Sequence, residues 1–428
     1  MTDSAVIVGA GVIGLAIAHR LARDGLAVTV VDAAGRGAAK ASVHNAGWIV
    51  PIMSAPVPAP GMLGKALRWM ARRDSPLYVR PSPRPEHVRF MIGMLRHCNR
   101  RAFECGVEAL ATLNARTLQL FDEYEKDGIR FEHHRAGQLL VFTTRHTMDE
   151  YRLATAPMER IGHIAVPLSG DELRDLEPAL GKQVLAGLHC PQERHVDPAS
   201  LVRSLEDRCR ELGVRFLHES RVTGIRSSGR IVTSVFAGSH EVPGDLFVLA
   251  AGVHTGPLSR LAGHPLPVQP GKGYGFDDTS GSVTLRHSVY LGEAKVAVTP
   301  LADRLRFAGT MEFGSSDATI DRRRLRGIAG SAHAYLPDFP FEPQPRGWTG
   351  LRPMTPDGLP VIGPLPGKDN VLVASGHSML GVTLAPATAD LISAEVAGGR
   401  RRADAAGTAL PFSPQRFTSR RGRTPAVG

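Results

Sequence analysis

The sharpest chemistry in this chain is written near its start, in Gly9-Ala10-Gly11-Val12-Ile13-Gly14 and in Asp32 beyond it. Glycines at this spacing can cradle the pyrophosphate of a dinucleotide. Gly9 makes the tight turn, Gly11 lets the backbone approach the phosphates, and Gly14 lets the next helix pack close on the preceding strand. The start of that helix offers N–H groups and a partial positive charge to the anion. Asp32 is placed to accept hydrogen bonds from the adenosine ribose hydroxyls. A carboxylate at that position repels a 2′-phosphate, which disfavours NADP.

The elements needed to position these residues are legible around them. Residues 5–8 read as a buried strand, Ile13, Ile17 and Leu21 mark one face of a helix running to Arg23, and residues 27–31 read as a second strand ending at the acid. The apolar run 5–18 is preceded by Asp3 rather than by basic residues, and a β-branched strand follows it, so it reads as folded structure and not as a signal peptide. Ser42, Asn45, Ala46 and Gly47 lie where the ribityl phosphate and ring of a flavin would pass, with backbone N–H groups and the Asn45 amide facing the isoalloxazine edge. Prolines recurring through 51–61 exclude a central strand or helix and predict a crossing loop. Phe90, Met94 and Leu95, then Leu110, Leu113, Leu118 and Phe121, predict a helical insertion between residues 60 and 130.

Further along, a strand is predicted at 137–142, helices at 147–162 and 201–212, a strand at 214–218, and a small antiparallel ribbon from 221–225 and 231–236, with Val222 among the cofactor contacts. Residues 246–252 form a buried strand running into a glycine turn, predicted to lie beside the first strand with Ala251 and Gly252 against the pyrophosphate. Short alternating runs at 295–299, 305–308 and 311–313 predict an antiparallel sheet between Gly263 and Pro345, and with it a second domain. Near the end, a strand at 371–374 leads through Gly376-His377-Ser378-Met379-Leu380-Gly381 into a helix at about 382–396. Gly376, Met379 and Gly381 of this turn are candidate cofactor contacts. The Gly/Ala/Arg-rich tail from Gly398 reads as mobile apart from 410–417.

Composition narrows the remaining possibilities. A hydrophobic share of 43% and a charged share of 21% over 428 residues describe an ordinary globular protein of two or three domains. No stretch reaches the roughly 18 uninterrupted apolar residues of a membrane span. The four cysteines form no C-x-x-C pair and no cluster with histidines, so neither a disulfide framework nor a metal site is expected, in keeping with a reducing cytoplasm. The net charge of +10, with arginine runs at 322–326, 400–402 and 420–423, reads as a solvated basic surface that also suits an anionic membrane face. An aromatic content of 6% leaves few platforms for stacking bases, and nucleic acid is not an expected partner.

Four motifs together carry a resemblance. They are Ser42-Val43-His44-Asn45-Ala46-Gly47 with the prolines after it, Lys272-Gly273-Tyr274, Asp303-Arg304-Leu305-Arg306-Phe307-Ala308-Gly309, and the long block Gly350-Leu351-Arg352-Pro353-Met354-Thr355-Pro356-Asp357-Gly358. From the first glycines to about Phe417 the chain resembles the FAD-dependent D-amino acid dehydrogenases, within the D-amino acid oxidase and glycine oxidase superfamily. The resemblance implies an α/β fold: a Rossmann-like FAD-binding domain of parallel sheet and helices (residues 1–60, 188–262 and 346–428) and an α+β substrate domain with an antiparallel sheet (61–187 and 263–345). It implies FAD rather than NAD, held noncovalently, since no cysteine near the end of the chain suggests covalent attachment. It also implies that Arg352 binds the substrate carboxylate. Glycine oxidases carry a second arginine where this sequence has Met379, which leaves room for a substrate side chain.

Oxidising an α-amine requires an acceptor against the α-carbon, a clamp on the carboxylate, and stabilisation of the negative charge reaching the flavin. Hydride transfer from a neutral amine needs no obligatory side-chain base. A planar guanidinium such as Arg352 supplies orientation that lysine cannot. The helix starting near Gly381 would aim N–H groups at the flavin edge where charge builds up. His44 and His377 are candidates to accept the ammonium proton. Tyr274 is a candidate partner for the carboxylate, the alternative being a half-buried sheet tyrosine. The expected activity is oxidation of the CH–NH bond of a small or mid-sized amino acid, of D configuration or a D-hydroxyproline-like imino acid. Electrons would pass to a quinone or another carrier, and the enzyme would be cytoplasmic or peripheral on the inner face of the cell membrane. The rivals are an amine or glycine oxidase using O2, an opine-oxidising or cyanide-forming relative, and a basic flavoprotein that binds nucleic acid.

Overall fold

The computed structural model describes residues 3–38, 41–62, 64, 75–341, 347–399 and 410–418. The fingerprint strand Ser4–Val8 lies inside a six-stranded sheet in the order Arg215–Leu217, Ala27–Val31, Ser4–Val8, Leu246–Leu249, Val371–Ser375, Val361–Pro364. Every pair is parallel except the last. Both faces of such a sheet are covered, which is why its strands are apolar throughout rather than alternating. Ala5 and Ile7 pack into one cluster with the helices Val12–Arg23 and Gly381–Gly399. Val6 and Val8 face the opposite way, into a cluster with residues of the ribbon Val222–Ser228, Ile231–Ala237 and His240–Pro243. The strand predicted at 246–252 pairs with the first strand as expected, Ala5 opposite Leu246.

A nine-stranded sheet makes the other half. Its order runs Gly347–Met354, Gln269–Asp278, Arg304–Phe313, Val296–Leu301, Ser288–Leu291, Gln138–Phe142, Ala186–Cys190, Val166–Ser169, with Leu77–Val79 added beside Arg304–Phe313. It is antiparallel except where Ser288–Leu291 meets Gln138–Phe142 and where Leu77–Val79 joins. The strand Gly347–Met354 is paired along its whole length with Gln269–Asp278, and Ala186–Cys190 also belongs to this sheet. Residues 347–354 and 188–190, assigned from sequence to the FAD-binding segments, are therefore hydrogen-bonded to the other sheet. Period and composition identify a strand but not its partner.

The helical insertion resolves into Pro85–His97, Arg100–Asn114 and Thr117–Lys126, with residues 63 and 65–74 outside the described ones. Asn99 separates the first two, its side chain accepting from Ala102 N at 3.0 Å as an N-cap. The helix expected at 147–162 is Arg145–Glu159, started by Thr144 accepting from Thr147 N at 3.2 Å. Of the tail, 400–409 and 419–428 lie outside the described residues, whereas Arg416 anchors 410–418 through Asp357 at 2.6 Å. No helix among the described residues is long and apolar enough to cross a membrane.

The runs expected as two strands, 305–308 and 311–313, are one strand, Arg304–Phe313, interrupted by a bulge. The register shifts between Lys272 and Tyr274, so Thr310 and Met311 together oppose Gly273. Thr310 takes φ 59°, a left-handed conformation that a β-branched residue adopts only under strain. Thr310→Gly should therefore raise the unfolding free energy by about 1 kcal/mol. Chemical denaturation of wild type and variant measures this, and an unchanged or lower midpoint refutes the strain argument.

Candidate active site

A cavity of ≈ 540 Å³ runs from the fingerprint turn to the strand Gly347–Met354. At one end Gly9, Gly11, Asp32 and Arg221 line it, at the other Gly350, Leu351, His377 and Gly381. The fingerprint glycines behave as their spacing requires. A Cβ on Gly9, at φ 116°, would sit 2.5 Å from Ala250 O, and a Cβ on Gly14 would collide with Gly9 O. Gly11 precedes the helix without a side-chain cap, and Val12 N donates to Ser42 Oγ at 3.0 Å. Asp32 braces the turn from within, accepting from Ala10 N at 2.6 Å and Ala34 N at 2.7 Å. A glycine cradle, an open helix start and a carboxylate at the far strand end fit a pyrophosphate-linked dinucleotide with an adenosine at the Asp32 end.

Ser42, Asn45, Val222, Ala251 and Gly252 also line this cavity. The remaining cofactor candidates support it from outside. Gly14 packs helix on strand, Ala46 O accepts from Thr299 Oγ1 at 2.7 Å, and Gly47, at φ 81°, lies against Val196 O. Gly376, at φ 76°, leaves room for Thr355, and Met379 is 45% exposed and not part of the lining. The helix Gly381–Gly399 starts at the wall, with Gly381 and Val382 in the lining.

Cross-strand pairing decides which sheet residues face the loop of Ser42 to Gly47. Gly271, Gly273 and Gly275 pair with Arg352, Gly350 and Trp348, and paired residues share a face. A Cβ on Gly350 would sit 2.9 Å from His44 O, so this is the loop side. The glycines keep the floor flat: the Arg352 guanidinium lies over Gly273 and the Trp348 ring over Gly275. The signal was available in Gly-Lys-Gly-Tyr-Gly, whose alternation puts three glycines on one face of a strand.

Arg352 is half-buried, flanked by the cavity-lining Leu351 and Pro353, and is not itself in the lining. Its Nη1 donates to Thr310 O at 2.8 Å, and no carboxylate among the described residues pairs with it. Burial, with repulsion from Arg324, pulls it down to about 10, which leaves it charged at neutral pH. Arg324, 1% exposed, donates to Ser75 O and Met311 O at 3.3 and 3.4 Å. The bulge is thus gripped by two guanidinium groups, and Arg352 has no anionic partner among the described residues.

Tyr274 is not brought to Arg352. Alternation turns it to the opposite face, where it is 1% exposed and its hydroxyl donates to Glu312 Oε2 at 2.6 Å. Burial and Glu312 both push its phenol up. It is a buried sheet tyrosine, the alternative left open by the sequence.

The histidines divide. His377 lines the cavity, shares a hydrogen bond with Thr388 Oγ1 at 2.9 Å, and its Nδ1 is buried without a partner among the described residues. Burial pulls it down to about 3. His44 is held by Nδ1 to Thr349 O at 2.9 Å and stacks on Trp348 at 5.2 Å, and burial lowers its pKa too. Neither is charged at neutral pH. Sequence reasoning gave no role to Trp348, Thr349 or Arg306, although Arg306 lies in a motif it singled out.

The family described as FAD dependent oxidoreductase matches residues 4–395. A D-amino acid dehydrogenase of Xanthobacter autotrophicus is 33% identical over 92% of this chain and 95% of its own length. One of Vibrio vulnificus is 32% identical over 92% of this chain and 96% of its own. Among solved structures, glycine oxidase from Geobacillus kaustophilus superposes with TM-score 0.74 at 23% identity, covering 100% of this chain and 99% of that one. L-proline dehydrogenase from P. horikoshii superposes with TM-score 0.75 at 18% identity, covering 97% and 98%. With the family match spanning residues 4–395, the protein belongs to the family of FAD-dependent oxidoreductases, and the relatives it is similar to carry the name D-amino acid dehydrogenase.

Proposed function

We propose that this protein dehydrogenates a small or mid-sized amino acid at its CH–NH bond, D configuration being favoured. The products are the imine, which water converts to the 2-oxo acid and ammonia, and two electrons passed on to a quinone or similar carrier. The observation that carries this reading is Arg352: a half-buried guanidinium over a glycine floor, bonded only to a carbonyl and a thioether among the described residues. An α-carboxylate completes that arrangement. Bound noncovalently, FAD would supply the acceptor for the hydride leaving the α-carbon.

The residues that would hold it are Gly9, Gly11 and the helix start at the pyrophosphate, Asp32 at the ribose, and Ser42, Asn45 and Gly381 nearer the ring. Arg352 orients the substrate by two parallel hydrogen bonds to its carboxylate. The helix start at Gly381 directs N–H groups toward the ring edge where electron density accumulates, a contribution on the order of 1 kcal/mol. His44 and His377, neutral and hydrogen-bonded to protein groups, orient their surroundings rather than carry the proton away, and the amine reacts already deprotonated. The six-stranded sheet with its helices serves the cofactor and the nine-stranded sheet the substrate. A basic surface suits docking at an anionic membrane face, and nucleic acid is not a partner. If the purified protein consumed O2 and released H2O2 as fast as it reduced a dye, the oxidase reading would replace the carrier.

Anaerobic bleaching of the flavin on adding single D- and L-amino acids tests the substrate class; no bleaching by any of them sinks it. Arg352→Lys should lower the second-order rate of that bleaching by roughly 10- to 100-fold, the loss of a bidentate charged pair, and a change below threefold would remove Arg352 as the clamp. Gly381→Val should make the bound flavin harder to reduce, and an unchanged midpoint potential in the folded variant counts against the helix start. Because His377 is held near 3 when folded against the ordinary 6.5, its burial favours the fold above pH 6.5, and that contribution is lost as pH falls toward 3. The melting temperature should therefore drop from pH 7 to pH 5, and His377→Asn should blunt the drop; an equal drop in the variant assigns it elsewhere.

A further inference from the structure

Between the two sheets lies one arginine to which the mechanism gives no task. Arg306, on the strand Arg304–Phe313, is 5% exposed. Its Nε and Nη2 each donate to the Asp277 carboxylate at 2.8 Å. Its remaining Nη1 reaches out of the sheet to Val43 O at 3.1 Å and Asn45 O at 3.2 Å, the carbonyls on either side of His44. The guanidinium also lies 5.5 Å from the centre of the Trp348 ring, on which His44 stacks. The loop so gripped is anchored at its other side to the fingerprint helix, through Ser42 Oγ and Val12 N. Burial works against the charge on Asp277, and the guanidiniums of Arg306 and of Arg304, whose Nε lies 3.3 Å from the same carboxylate, outweigh it and hold the carboxyl below the usual carboxylate range.

This geometry has an electronic side. In a trans peptide the carbonyl and the following N–H point in opposite directions, and no peptide bond among the described residues is cis. Tying the carbonyls of Val43 and Asn45 to a cation turns the N–H groups of His44 and Ala46 away from it and polarises them as donors. A lysine cannot reproduce this, because a point charge does not make a bidentate contact to a carboxylate and two further bonds in one plane.

We propose that Arg306 is a positioning residue for the flavin: by fixing the peptide planes on either side of His44 it holds Ser42 and Asn45, which line the cavity, in place beside the ring, and its charge, carried through the polarised peptides, favours the reduced form. Arg306 touches neither substrate nor reacting atoms; it acts through the backbone, and Asp277 tempers its charge. The inference concerns cofactor handling and is independent of the role of Arg352.

The test uses the full chain loaded with FAD. Arg306→Lys and Arg306→Met should raise the FAD dissociation constant at least tenfold, alter the visible circular dichroism of the flavin, and shift its midpoint potential downward. Asp277→Asn keeps the side-chain shape and one of the two acceptors while removing the charge, and should shift the potential upward, a reversal of sign that loosened packing does not produce. Folding is checked by far-ultraviolet circular dichroism. Folded Arg306 variants with unchanged FAD affinity and potential overturn the proposal, as does a downward shift in Asp277→Asn; if the arginine variants do not fold, the sign found for Asp277→Asn decides.

Discussion

Backbone must be able to touch backbone at the fingerprint turn, and the rest of the molecule is arranged around that requirement. Helix Val12–Arg23 sits so close over Gly9 that a single Cβ at Gly14 would collide with the Gly9 carbonyl, and Gly9 itself lies against Ala250 O of the next parallel strand. No attraction of comparable specificity is at work there. The contact is permitted by missing atoms, and dispersion then gains from the short distance. Once the helix is seated, its start points into the cavity and Asp32 arrives beside Ala10.

The same device recurs in the nine-stranded sheet. Glycines at 271, 273 and 275 remove side chains from one face, and Arg352 and Trp348 lie down in the space. A bulge then spends conformational energy at Thr310 to turn its carbonyl toward Arg352. Two cations, Arg324 and Arg352, flank the bulge, and Glu312 beside it accepts from Tyr274.

Much of this was legible in advance, and the reasons are physical. Parallel strands buried on both faces leave continuous apolar runs, so the fingerprint strand, its helix and the strand at 246–249 were found within a residue or two. Glycine motifs state their own constraint. Partnership was less legible: Gly347–Met354 has a recognisable motif, yet nothing in its sequence says that it pairs with Gln269–Asp278. Facing was only half legible. Alternation puts Gly273 and its neighbour Tyr274 on opposite faces, and only the register reveals which of them faces the loop of Ser42 to Gly47. Arg306 was missed as a functional group because its partners are backbone carbonyls more than 250 residues away, which leave no trace in side-chain patterns.

The order of strands in the six-stranded sheet has a consequence for how the chain is made. Ser4–Val8 is translated well before its neighbour Leu246–Leu249 and the next strand, Val371–Ser375. The nucleotide cradle therefore waits, half-walled, while most of the polypeptide is synthesised. Cofactor capture becomes a late event in biogenesis, and until then the earlier-made half carries an apolar strand edge open to pairing with other chains.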